Sequence, residues 1–168
     1  MRIGITGHQK LRQLSDWDWV SAELRRVLEA YSPSLIGISS LAAGADQLFA
    51  EIVLENGGTL EVIVPCADYE NTFTYLEDRE TYLSLLASAT QVKVLENAGS
   101  KEDAYLQAGE RVVDASDLVL AVWDGHPSAG LGGTADTVRY AHESQKKLIH
   151  LNPVTREVII SGPSIFSG

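Results

Sequence analysis

The chain is poor in the residues that build disulfides, metal clusters and polyanion-binding surfaces. It has one cysteine, Cys66, in 168 residues, which excludes an internal disulfide and any cysteine-based metal cluster. It carries 13 Lys and Arg against 23 Asp and Glu, a net charge of −10. That deficit opposes binding to a nucleic-acid backbone, which calls for clustered basic side chains, so no nucleic-acid partner is expected. No apolar run approaches the roughly 18 residues needed to cross a membrane, so no membrane partner is expected either. The opening MRIGITGH lacks the basic region, long apolar stretch and small-residue cleavage site of a signal peptide. A cytoplasmic location is the default expectation.

Several chemical signatures are absent too. There is no Gly-x-Ser-x-Gly elbow and no phosphate loop ending in Gly-Lys-Ser/Thr. The first strand turn has no Gly-x-Gly-x-x-Gly, and no metal-ligand constellation appears. These gaps argue against a hydrolase elbow, an NTPase and an ordinary nicotinamide enzyme. No cofactor and no metal site are expected.

What remains is an ordinary globular composition, 45% apolar and 21% charged, at a length that suits one domain. Short apolar runs read as strands at Arg2–Thr6, Leu35–Ser39, Leu60–Val64, Val92–Leu95, Leu118–Trp123 and Lys147–Leu151. Several are almost continuously apolar, as parallel strands covered on both faces are. Between them the spacing turns helical: Trp17, Val20, Leu24, Val27, Leu28 and Tyr31, then Ala45, Leu48, Phe49, Ile52 and Val53. Gly57-Gly58 ends the second run. Ser100 with Asp103 forms a capping box for a helix to about Ala115. Residues 134–145 form another helix, and residues 70–89 read as helical, in one or two pieces. Strand–helix alternation of this kind predicts an open α/β fold, a doubly wound parallel sheet. The expected domain is 1–151. Residues 152–168 form an extension with a short strand at 157–161 and a loose tail.

Ligands of open α/β sheets bind beyond the C-terminal strand ends, where strand order reverses. Small and polar residues gather there: Thr6, Gly7, His8 and Gln9 after the first strand, and Ser39, Ser40, Gly44 and Asp46 after the second. Pro65 and Cys66 follow the third, and Asp124 with the stretch GHPSAGLGGTADTVRYAHES follows the fifth. That stretch is longer than a plain strand–helix connection, which takes roughly 2–6 residues. It is either a flexible connection capped by Thr134, or a place where a ligand approaches the backbone. In the second case Gly132, Gly133 and Thr134 offer N–H groups and the positive end of a helix dipole to a phosphate. Asp46 is either a charge suited to its helix dipole, or a carboxylate that orients a ribose hydroxyl or polarises a water. His8 is either an unengaged loop residue, or a phosphate donor or acid–base group. Asp124 holds the glycine loop or contacts the ligand. Trp123 is core or pocket wall, and His126 and His142 carry less of a case.

Four segments together, ITGHQKL, GISSLAAGADQLFAE, VIVPC and DASDLVLAVWDG…GLGGTADTVRYA, resemble the SLOG superfamily. That group holds the Lonely Guy enzymes, the DprA/Smf proteins and the YpsA-like proteins. The resemblance covers about residues 1–151 and is nearest to the YpsA-like branch. It implies a Rossmann-like three-layer sheet in the order 4-3-2-1-5-6 and a nucleotide-type ligand at the C-terminal edge. Its phosphate would lie at the glycine-rich helix start, with Gly7, His8, Ser40, Gly44, Gly132, Gly133 and Thr134 around it. It also implies a homodimer or higher homo-oligomer.

The sequence departs from the Lonely Guy pattern. The catalytic glutamate position falls on Thr137 and the arginine position near Ala108. Asp136 and Arg111 are the nearest charges, but one residue turns a helical side chain by about 100°. The phosphoribohydrolase reaction is therefore not supported. The leading expectation is a domain that binds a nucleotide derivative through Gly7, His8, Gln9, Ser40, Gly44, Asp46, Pro65, Asp124, Gly132, Gly133 and Thr134. The alternative is a hydrolase of an N-glycosidic or phosphate bond, with Asp46, Asp124 and His8 as candidate catalytic groups.

Overall fold

The structure is a computed structural model, described here for residues 1–96, 99–128 and 130–163. Along the chain run β1 (Arg2–Gly7), α1 (Leu14–Glu29), β2 (Ile36–Ser39), α2 (Ala45–Glu55) and β3 (Thr59–Val64). A 3-10 turn (Tyr69–Thr72), α3 (Leu76–Ser88), β4 (Gln91–Val94), α4 (Lys101–Asp114) and β5 (Leu118–Val122) follow. Then come α5 (Thr134–Glu143), β6 (Lys147–Asn152) and β7 (Glu157–Ser161). The helical stretch at 70–89 is two pieces, since Phe73 and Tyr75 are extended and break it.

Among the described residues the strands form one sheet in the order 4-3-2-1-5-6-7. The first six are parallel, and β7 returns antiparallel on β6 through pairs such as His150 with Ile159. The fold is the Rossmann-like α/β arrangement and carries one strand more than the six-strand order. The expected loose tail at 164–168 lies outside the described residues.

Strand alternation sorts the core into two layers. Ile3, Ile5, Leu118, Leu120 and Val122 point to one face and pack on Val20, Leu24 and Leu28 of α1 and Phe49 and Ile52 of α2. Val119, Ala121 and Leu148 point the other way onto Val138 and Ala141 of α5. Ile38 and Ile63 meet Ala108 and Val112 of α4. β5 is buried along its whole length, which explains why its sequence is apolar at every position rather than at alternate ones. The strand reversal falls between β1 and its two neighbours. β2 and β5 both pair with it, and their helices leave on opposite faces.

At the N-terminal edge, away from that reversal, Arg2 ties three elements together. Its guanidinium donates to both Glu61 oxygens on β3, at 3.0 and 2.6 Å. Its Nε donates to the Ala115 carbonyl at 2.7 Å, and its backbone N–H donates to Asp117 at 2.9 Å. Two parallel bonds to a carboxylate are stronger than a surface ion pair of equal charge. Arg2→Met leaves Glu61 without this partner and is expected to lower unfolding free energy by about 1–3 kcal/mol. Urea unfolding at neutral pH measures it, and an unchanged midpoint would show the fork to be ornamental.

Candidate functional site

Three strand-to-helix loops meet at the C-terminal edge, and backbone contacts set their spacing. The His8 N–H donates to the Val122 carbonyl of β5 at 3.0 Å, and its carbonyl accepts the Ala45 N–H of α2 at 3.1 Å. Its ring Nε2 accepts the Asp124 N–H at 3.1 Å. The same nitrogen lies 3.1 Å from Asp124 Oδ1. A neutral ring accepts from the amide and a protonated ring donates to the carboxylate; either way Nε2 belongs to Asp124. In the neutral ring the proton sits on Nδ1.

The loop after β2 is built around Asp46. The buried Ser39 hydroxyl donates to Asp46 Oδ2 at 3.1 Å and accepts the Leu41 N–H at 2.9 Å. Leu41 is held at φ +57, a left-handed conformation that costs a bulky side chain energy. Gln47 braces the loop by donating to the Leu41 and Asp78 carbonyls. Asp46 is 6% exposed. Burial raises its carboxyl to about 7, against smaller lowering effects from the Ser39 hydroxyl and the Ala42 and Ser40 amides.

The loop after β5 turns on Asp124, whose Oδ1 accepts the His126 N–H at 3.0 Å. Burial pushes the Asp124 carboxyl up, but the His126 amide and the His8 ring outweigh it and leave it below its usual range. Trp123 closes the turn by donating Nε1–H to the His126 carbonyl at 2.8 Å. Further on, Gly132 adopts φ +79 and packs against the Tyr105–Leu106 backbone, where an added Cβ would come within 2.6 Å of the Leu106 nitrogen. The Gly132 N–H donates to Asp136 Oδ2 at 3.1 Å, and Arg139 holds Asp136 Oδ1 at 2.7 Å. Gly133 is the N-cap of α5 and Thr134 its first residue, so Thr134 does not cap the helix. Among the described residues no acceptor meets the N–H groups of Gly133, Thr134 and Ala135.

These loops enclose a cavity of about 690 Å³, a size typical of small-molecule sites, which span roughly 300–1,000 Å³. Gly7, His8, Gln9, Ser40, Asp46, Pro65, Asp124, Gly132, Gly133 and Thr134 line it. Gly44 does not. It sits at φ +85 behind the His8–Gln9 backbone, where an added Cβ would lie 2.6 Å from both carbonyl oxygens. Its role is the close approach of two loops. Asp136 and Arg111 do not replace the absent glutamate and arginine. Asp136 is held by Gly132 and Arg139, and Arg111 is exposed and away from the cavity. Ala108 and Thr137, at the vacated positions, both line the cavity, where Thr137 packs against Gly109, the residue after Ala108.

Sequence reasoning missed the aromatic wall. Tyr69, Phe73, Tyr75 and Tyr105 line the cavity. Three of them lie in PCADYENTFTY directly after β3, so reading that whole segment rather than its first two residues would have found them. It also missed Ser128, whose buried Oγ has no hydrogen-bond partner among the described residues and packs against Gly133. Among the described residues no cluster of three His, Cys, Asp or Glu could hold a metal ion, and no helix is long and apolar enough to cross a membrane.

No protein-family model and no curated protein matches the chain. Solved structures do. DNA processing protein A from Streptococcus pneumoniae matches at TM-score 0.64 and 14% identity, over 89% of this chain and 49% of that one. The Helicobacter pylori protein, described for its single-stranded DNA binding mode, matches at 0.64 and 19%, over 89% and 64%. The Moco carrier protein of Chlamydomonas rheinhardtii matches at 0.56 and 18%, over 90% and 75%. The chain thus spans about half to two thirds of the DNA-processing proteins. These likenesses show its fold, the Rossmann-like α/β sheet.

The comparison corrects the expected partners. A structure of this fold is described for binding single-stranded DNA, so nucleic acid is not ruled out by the net charge. The reason is local: amides at a helix start hold phosphate without basic side chains. The expected homo-oligomer is set aside, since none of these structures speaks to it.

Asp46 makes the stability of the protein depend on pH. The folded protein keeps this proton up to about pH 7, whereas the free side chain loses it near 3.8. Folding takes up a proton across that window, so stability falls as pH rises through it and levels off above 7, by on the order of 4 kcal/mol. Asp46→Asn keeps an acceptor for the loop and is expected to flatten that slope. Urea unfolding at pH 5 and pH 8 checks it; equal slopes in both proteins would remove Asp46 as the cause.

Proposed function

We propose that the cavity binds a nucleotide or nucleotide-derived small molecule, with its phosphate at the start of α5. The observation that carries this reading is the set of unpaired N–H groups on Gly133, Thr134 and Ala135, opening into a cavity of ligand size. Backbone donors and the helix dipole favour an anion there. The resemblance to the YpsA-like branch supports the same reading, as does the Moco-binding description of a protein of this fold. A cytoplasmic setting fits such a ligand. The phosphate can be carried by a free nucleotide or by the end of a single strand, so a short oligonucleotide belongs beside nucleotides in the test.

A second reading has its own observation. Asp46 and Asp124 line one cavity, and their carboxyls are pushed in opposite directions. A pair split this way suits acid catalysis by one carboxyl and charge stabilisation by the other, as cleavage of an N-glycosidic bond requires.

Thermal unfolding against nucleotides, sugar nucleotides and a short oligonucleotide, with chromatography of each mixture, tests both. A ligand at 100 times its Kd is expected to stabilise the protein by about 2.7 kcal/mol. Intact ligand after incubation supports binding alone, and product supports the hydrolase. No shift with any compound overturns the binding reading.

Gly133→Val places a side chain onto Ser128 at the mouth of the cradle, with a backbone φ of −80 that valine can adopt. We expect a local shift of the Ser128 segment, unchanged helix and strand content by circular dichroism, and binding weakened at least about tenfold. Normal binding by this variant would move the phosphate elsewhere.

A further inference from the structure

The end of the cavity that follows β3 is unlike the end at α5. Tyr69, Phe73 and Tyr105 form its wall, with Tyr69 edge-on to Phe73 at 5.4 Å and to Tyr105 at 6.1 Å. Tyr82 backs Tyr69 at 5.5 Å. Tyr105 joins the two ends, since its Cβ packs against Gly132 while its ring meets Tyr69. Tyr69 is only 6% exposed, yet its phenol has no hydrogen-bond partner among the described residues. Asp46 stands beside it: burial first, then the Asp46 carboxylate, raises the Tyr69 phenol. Ser39 bonds Asp46 at 3.1 Å, and the Ser40 and Ala42 amides stand close to it. An ionised carboxylate has about four lone-pair sites, more than these donors fill, and Asp46 lines the cavity.

We infer that this end takes a planar nitrogen heterocycle against Tyr69, Phe73 and Tyr105, with a ring-edge N–H donated to the Asp46 carboxylate. The inference rests on the phosphate reading above, which places the other end of the ligand. Aromatic rings offer flat, polarisable surface that a sugar does not match and another ring does. A hydrocarbon ring would leave an Asp46 lone pair and the Tyr69 phenol without partners in a desolvated site, which is unfavourable. A heterocycle with an N–H edge meets the first, and its ring nitrogen or carbonyl meets the second. The other ionisable groups around this position are Tyr69 and Tyr105 in the wall, with His8, Lys10, Tyr75, Asp78, Asp124 and His126 elsewhere in the cavity.

Proton linkage gives a readout that packing alone does not. An N–H donor needs Asp46 ionised, and burial keeps it protonated to about pH 7. Affinity for a donor-edged ring then rises with pH, approaching about tenfold per unit below 7, and levels off above.

Calorimetry with three probes tests this: ribose 5-phosphate, purine riboside 5′-monophosphate, whose ring edge carries no N–H, and guanosine 5′-monophosphate, whose edge carries them. All share the phosphate and its own ionisation, so affinity ratios isolate the ring end. The guanosine compound is expected to bind at least about tenfold tighter than the purine riboside compound, and that compound tighter than ribose 5-phosphate. Asp46→Asn should bring the first ratio within about threefold and remove its pH dependence. Tyr105→Leu, which retains Cβ packing on Gly132, should bring the ring-bearing probes down to ribose 5-phosphate; it keeps the test decisive if the Asp46 variant unfolds. Equal binding of all three probes overturns this inference and leaves the phosphate site standing. Survival of both the ratio and its pH dependence in Asp46→Asn removes Asp46 as the acceptor. Failure of all three to bind at millimolar concentration removes the phosphate site and this inference with it.

Discussion

The cavity depends on His8 being bonded three ways. Its amide extends the β1–β5 pairing, its carbonyl catches the first residue of α2, and its ring takes the amide of Asp124. Each bond goes to a different element, so one residue sets the distance between all three loops at the strand reversal. Gly7 and Gly44 are consequences of that closeness. A Cβ at Gly7 would lie 2.6 Å from the Ala45 Cβ and 2.9 Å from the Val122 Cβ, and one at Gly44 would strike the His8 and Gln9 carbonyls. A histidine used this way has one ring nitrogen committed to structure. Whatever it offers a ligand comes from the other.

Anion binding in so acidic a chain is a matter of what lies within a few ångströms. Charges on the outer surface are screened beyond about 10 Å at ordinary ionic strength. The nearest negative charge to the α5 start is Asp136 in its first turn, and it would repel a phosphate if left alone. It is not left alone: Arg139 pairs with one oxygen and the Gly132 N–H with the other. The carboxylate is spent on shaping the loop, and the amides one turn earlier keep their donors outward. The same loop buries the Ser128 hydroxyl without a partner among the described residues.

The sheet was legible because its central strands, β5 above all, are buried on both faces and therefore nearly continuously apolar, and because one helix, α4, starts at a readable cap. Ser100 with Asp103 opens α4 as its sequence says. The strand order came from motif resemblance and not from periodicity, which cannot order strands. β7 was harder: Val158, Ile159 and Ile160 are exposed, so its apolar residues do not alternate with a buried face and its pairing had to be seen. At the cavity, residues directly after strands were legible because strand ends point there. The aromatic wall was not, since Tyr69 and Phe73 enter from a 3-10 turn and reach the cavity by tertiary packing alone. Gly44 misled for the opposite reason: sequence shows that backbone comes close to something, but not whether the something is a ligand or another loop.

Asp46 poses the remaining question of chemistry. The loop after β2 needs an acceptor at this position, because Ser39, Ser40 and Ala42 all present donors to it. An amide oxygen would accept from two of these donors without the cost of a desolvated charge, so a further acceptor site is all that loop geometry asks of a carboxylate. What a carboxylate adds beyond that is a proton that moves near neutral pH and a lone pair more than the loop fills. Neither has a use inside the protein. Both have one toward a ligand, as an acceptor for an N–H when ionised and as an acid when protonated. The two uses demand opposite protonation states, so the pH at which the ligand is held best distinguishes a receptor from a catalyst at the same residue.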